Sequence, residues 1–151
     1  MMRYHFKLQP LLDKERIYEG EFIRGLKSLT NILREEKDKL EKIKGQQEEC
    51  QKKLEKRRGF HVEISELRLY EEYFLQLENE VINSRYMLDQ MTQKIEIVQA
   101  ELSRIMKRRK ALEKLKEKGL SEYVNTMQLS LNKEMDEIAM LNFSKRREGN
   151  V

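Results

Sequence analysis

Two histidines (His5 and His61), one cysteine (Cys50) and many carboxylates are among the side chains of this chain that could serve as base, nucleophile or metal ligand. Their spacing does not assemble a reaction centre. No His-Glu-x-x-His, Cys-x-x-Cys or glycine-rich phosphate loop occurs. A single cysteine excludes an internal disulfide and any all-cysteine metal site. Carboxylates such as Asp89, Asp136 and Glu137 are expected to face water on exposed helices, with no cleft to collect them. Basic runs are the other chemical feature: Lys52-Lys53 with Lys56-Arg57-Arg58, Lys107-Arg108-Arg109-Lys110, and Lys145-Arg146-Arg147. They could meet phosphates or acidic partners. No aromatic platform for stacking bases accompanies them, so they read first as solvated faces and helix-end charges. The expectation is therefore a protein that works by binding, with no catalytic residue, cofactor or metal.

The elements that carry these side chains follow from composition and period. Charged residues make up 38% of the 151 residues and aromatics 7%, with six Gly, one Pro and no Trp. That is the profile of long helices or coiled coils. In the first half, Leu8, Leu12, Glu15, Glu19, Phe22, Leu26, Leu29, Leu33, Glu36, Leu40, Ile43, Gln47, Cys50 and Leu54 recur at alternating steps of four and three. In the second, Leu67, Tyr70, Phe74, Leu77, Val81, Ser84, Leu88, Met91, Ile95, Val98, Leu102, Ile105, Arg109 and Leu112 do the same. Such a period holds one seam on one side of each helix, the condition for knobs-into-holes packing. Tyr70 and Phe74 fall on the seam; Tyr73 falls beside it and is free for a contact surface.

Between the halves, Gly59 follows a basic last turn, and a turn is expected at residues 58–62. A short connection makes the two helices antiparallel neighbours. The fold expected is all-α: one coiled-coil hairpin over residues 1–151, with helix 1 at about 8–57, helix 2 at about 63–140 and a frayed basic tail at 144–151. Ser65 is a possible cap for the second helix, and Gly119 a possible irregularity within it. At 1.5 Å per residue the helices measure roughly 75 and 115 Å, so the second outruns the first. Beyond about Lys116 it overhangs. Leu120, Val124, Met127, Leu131, Met135, Ile138 and Leu141 recur there at helical spacing, with Tyr123 beside them. An apolar stripe without an internal partner calls for another protein. The opening residues lack a signal-peptide core, and no run approaches the roughly 20 apolar residues of a membrane span.

Four segments in order along the chain carry a family resemblance: Phe6-Lys7-Leu8-Gln9-Pro10-Leu11-Leu12-Asp13-Lys14-Glu15-Arg16; Leu67-Arg68-Leu69-Tyr70-Glu71-Glu72-Tyr73; Arg109-Lys110-Ala111-Leu112-Glu113-Lys114-Leu115; and Lys133-Glu134-Met135-Asp136-Glu137-Ile138-Ala139. Together they resemble the flagellar export protein FliJ family. The resemblance implies an antiparallel two-helix coiled coil similar to the central stalk of rotary ATPases. It further implies a cytoplasmic protein, held peripherally at the inner face of the cell membrane by the export apparatus and monomeric when free. The implied partners are the export ATPase hexamer, the membrane export gate and export chaperones. By this analogy the ATPase ring would be met by Phe6, Leu12, Arg108, Arg109, Lys110, Leu120, Tyr123, Val124, Met127, Leu131, Met135 and Ile138. The gate would be met by Ile43, Tyr73 and Leu77, whereas Gln46 and Cys50 depart from the family pattern, which has an aromatic there. Secretion-injectisome stalk proteins share these features. A homodimeric structural coiled coil is the second class of function, and a nucleic-acid binder the third.

Overall fold

A computed structural model describes residues 3–57 and 63–149. It contains two helices, α1 (Gln9–Arg57, 49 residues) and α2 (Ile64–Glu148, 85 residues). The turn expected at residues 58–62 lies outside the described residues. By contact the chain divides into two compact units, one of residues 1–18 with 105–151 and the other of residues 19–104. Both helices contribute to both units.

The helix starts follow from local chemistry. Pro10 sits in the first turn of α1, where no intrahelical bond needs its missing N–H. The Gln9 amide donates to the Phe6 carbonyl (3.1 Å), and the Leu12 amide to the Leu8 carbonyl (3.0 Å). At the other helix, the Glu63 carbonyl accepts from the amides of Glu66 (3.0 Å) and Leu67 (3.2 Å). Glu63 therefore occupies the capping position expected of Ser65, which lies inside the first turn. α2 also runs past its expected end near Met140 and takes residues 144–148 out of the basic tail. Nothing in that stretch breaks a helix before Gly149, whose amide closes the last turn on the Lys145 carbonyl at 3.0 Å. Lys145, Arg146 and Arg147 complement the carbonyl end of the helix.

Within each unit the two helices are antiparallel. In the residue 19–104 unit, Arg57 reaches Glu66 at 2.7 Å, and Cys50 shares a groove with Tyr70 and Phe74. In the other unit, Glu15 and Arg16 face Arg108 and Glu113. Burial follows the four-and-three series closely. From Leu12 to Leu54 and from Tyr70 to Leu112, every member is buried or half-buried. Only the first members of the two series, Leu8 and Leu67, lie on the exposed side. The polar members remain in the seam: Glu15 and Ser84 are buried, and the Ser84 hydroxyl has no hydrogen-bond partner among the described residues. Each such place gives up some of the stabilisation that an apolar knob would contribute.

Candidate functional site

In the unit of residues 1–18 with 105–151, the N-terminal segment decides how much of α2 is covered. Leu12, with no exposed surface, packs in the same seam as the buried Ile105 and Leu112. Ahead of α1 the non-helical segment continues along α2 as far as Tyr4 among the described residues. The Tyr4 and Tyr123 rings lie 5.7 Å apart at a tilt of 45°. The Tyr4 hydroxyl occupies the place a Cβ on residue 119 would take, and its Cζ lies 3.1 Å from that position. Gly119 is thus no irregularity. The helix passes through it unbroken, and the missing side chain makes room for a ring.

Beyond this contact α2 has no cover among the described residues. Every residue from Val124 to Gly149 is exposed, and the helical part of that length measures roughly 37 Å. The apolar stripe expected at helical spacing is present, from 38% exposed at Met127 to 66% at Met135. A second apolar face joins it. At about 100° per residue, Leu129, Met140 and Phe143 project from the side opposite Val124, Met127, Leu131 and Ile138. All three are at least two-thirds exposed or nearly so. From Ile138 to Phe143 only Asn142 is polar, so the helix there is apolar almost all round. From Tyr123 to Asn132 no residue carries a charge, in a chain where more than a third do. The spacing rule that traced the first stripe misses Leu129, Met140 and Phe143, because it follows one face only. Projecting every residue around the helix finds them.

The charged residues nearby are mostly engaged within the unit. Arg108 Nε lies 3.2 Å from Glu15 Oε1, and this bond supplies the buried Glu15 carboxylate with a counter-charge. Arg109 Nη1 donates to both Glu113 oxygens at 3.0 and 3.1 Å, and Arg16 Nη2 reaches the same carboxylate at 3.4 Å. Hydrogen bonding from Arg109, ahead of the contribution of Arg16, holds the Glu113 carboxyl below its ordinary pKa of 4.5. Of the three basic residues expected to meet acidic loops, Arg108 and Arg109 thus bind carboxylates of their own chain. Lys110 is exposed.

Other expected contact residues are also redistributed. Leu12 is fully buried in the seam and presents nothing to a partner. Phe6 and Tyr123 are half-buried, and Leu120, Val124, Met127, Leu131, Met135 and Ile138 are exposed. In the residue 19–104 unit, Leu77 is 3% exposed, because its seam position points it at α1. It cannot form an outer contact surface. Ile43 is half-buried, and Tyr73, exposed by 45%, is the one large outward side chain of the three. Tyr73 borders a surface depression it shares with Gln46, Cys50 and Tyr70. Next to this lies an open groove floored by Cys50, Leu54, Tyr70 and Phe74. Among the described residues no helix is long and apolar enough to cross a membrane.

Neither the curated proteins nor the solved structures contain a match to this chain. The description "Flagellar FliJ protein" belongs to a family whose profile matches residues 4–148. That span takes in the Tyr4 contact, the two paired seams and the uncovered end of α2, and the chain accordingly belongs to the flagellar FliJ family.

Proposed function

We propose that this chain is a non-enzymatic stalk and adaptor that inserts the uncovered end of α2 into the ring of the flagellar export ATPase. Family membership makes it a component of the flagellar export apparatus. The observation that carries the finer reading is the end of α2, apolar on two opposite faces and exposed on both. A helix apolar all round is stable in water only when something surrounds it. A ring that encloses a stalk does so; a single partner helix covers one seam and leaves the other face wet. Phe6 and Lys110 would border the ring mouth, with Leu120, Val124, Met127, Leu131, Met135 and Ile138 inside it.

The face around Tyr73 is the better place for the export gate, because Tyr73 and the neighbouring groove are accessible and Leu77 is not. Export chaperones complete the set of partners. The free protein is a monomer on the cytoplasmic side, held at the membrane by its partners. A pulldown with the export ATPase tests the central claim, using the full chain, a chain ending at Lys118, and the pair Met135→Asp with Ile138→Asp. Both altered chains should lose the ATPase. Retention of binding by both refutes ring insertion. The first stripe also has a spacing that a second copy could pair with, and light scattering separates the two readings: a tight dimer lost in the Met135→Asp, Ile138→Asp chain favours self-association.

A further inference from the structure

Net charge is distributed unevenly between the two units. Residues 1–18 and 105–151 carry fifteen basic and nine acidic residues, whereas residues 19–104 carry sixteen basic and eighteen acidic ones. The chain's net charge of +4 is therefore a surplus of +6 in one unit offset by −2 in the other. Most of the surplus comes from residues 105–118, which hold seven basic residues and two acidic ones. Arg108 and Arg109 in this stretch bind carboxylates of the same unit.

Five lysines remain, of which Lys116 is half-buried on the seam side. Lys107, Lys110, Lys114 and Lys118 are exposed, and none of them has an ion-pair partner among the described residues. They follow one another at steps of three, four and four. At about 100° per residue this places all four on the side of α2 opposite the buried Ile105 and Leu112. Neighbouring like charges at such spacing oppose helix formation. A helix assembled for stability alone would alternate the signs, as Glu101 and Arg104 do one turn earlier.

We propose that this lysine stripe is a docking surface for an acidic protein segment, one whose carboxylates recur at the same three- and four-residue spacing along a helix. Charge complementarity fixes the sign of the partner, and the linear arrangement fixes its form. The intervening outward positions identify a protein rather than a membrane or a nucleic acid. Ala111 is small, and Leu115 at the edge of the stripe is a single exposed apolar side chain where an interfacial helix requires a whole apolar face. No aromatic ring stands among the lysines to stack a base. Lys110 also borders the proposed ring mouth, and the test below separates the two readings because it scores peptide binding without the ATPase.

The test uses the full chain and a labelled helical peptide with glutamates at the complementary spacing. A second peptide has the same composition but its glutamates spread around the helix. One protein variant converts Lys107, Lys110, Lys114 and Lys118 to Gln. A control variant removes the same charge elsewhere, through Lys37→Gln, Lys42→Gln, Lys44→Gln and Lys52→Gln, all exposed in the other unit. Fluorescence anisotropy should show the spaced peptide bound more tightly than the spread one. The stripe variant should weaken it roughly 16-fold, the product of four exposed ion pairs each worth a factor of about two. The control should change it by less than about twofold, and circular dichroism should show both variants as helical as the parent. Equal losses in the two variants, or equal affinity for the two peptides, overturns the proposal. So does tighter, stripe-dependent binding to a DNA oligonucleotide or to vesicles of anionic lipid, or stripe-dependent self-association in light scattering.

Discussion

Gly119→Ala is expected to release the N-terminal segment while leaving the helices as stable as before. A Cβ at this position would meet the Tyr4 hydroxyl and ring, so the ring must leave its seat. The helix itself gains from the change, because alanine is favoured over glycine in a helix interior by about 1 kcal/mol. Against this stands the loss of the Tyr4 ring from its tilted contact with Tyr123, 5.7 Å away. Aromatic pairs of this kind contribute about 0.5–1.5 kcal/mol. The two effects nearly cancel, and the melting temperature should move by no more than about 3 °C. The local consequence does not cancel. Trypsin cleavage after Lys7, which lies between Tyr4 and the first turn of α1, should accelerate about fivefold for about 1 kcal/mol of lost local stability. A double-mutant cycle with Tyr4→Ala sharpens the result. Tyr4→Ala alone should lower stability by about 1 kcal/mol, and adding Gly119→Ala should then recover the full helix gain of about 1 kcal/mol. Unchanged protection at Lys7 in Gly119→Ala, or strict additivity in the cycle, would refute the role given to Gly119.

Two further outcomes follow from the charges in the same unit. Arg108→Gln removes the counter-charge of the buried Glu15 and should destabilise the chain by about 1–3 kcal/mol in denaturant titration, while combining it with Glu15→Leu should restore the loss by returning an apolar knob to the seam. The Glu113 carboxyl has a folded pKa held below 4.5 by Arg109 and Arg16, so its ion pairs stabilise the fold at pH values above the unfolded pKa and are lost as pH falls through the folded one. Melts recorded from neutral to acid pH should therefore show wild type and Glu113→Gln separated above pH 4.5 and converging below it.

Much of this architecture is legible in the residues. Steps of four and three locate the seam to the residue, from Leu12 to Leu54 and from Tyr70 to Leu112, because a period near 3.5 admits only one buried side. The polar members do not shift it; Glu15 and Ser84 are buried where the period places them. The excess length of α2 and its first apolar stripe are also read from the chain, since helical rise converts residue number to distance. Helix ends are less legible. Propensity and charge at residues 144–148 are compatible with either a frayed tail or a last turn, and the bond from Gly149 to Lys145 decides for the turn.

What the tertiary structure alone decided is which side chains remain available. Leu12 and Leu77 fall on the seam by their spacing, while the family resemblance gives them to partners; pairing of the helices buries both and decides for the seam. Arg108 looks like part of a free basic run until Glu15 is brought across from α1, whereas Arg109 finds Glu113 only four residues along its own helix. Gly119 looks like a break until Tyr4 arrives over it. The physical reason is common to all three. Periodicity is a property of one helix, and it specifies which side is apolar. Which carboxylate meets which arginine, and which ring rests on which glycine, depends on the register between two helices. That register is set where distant segments pack.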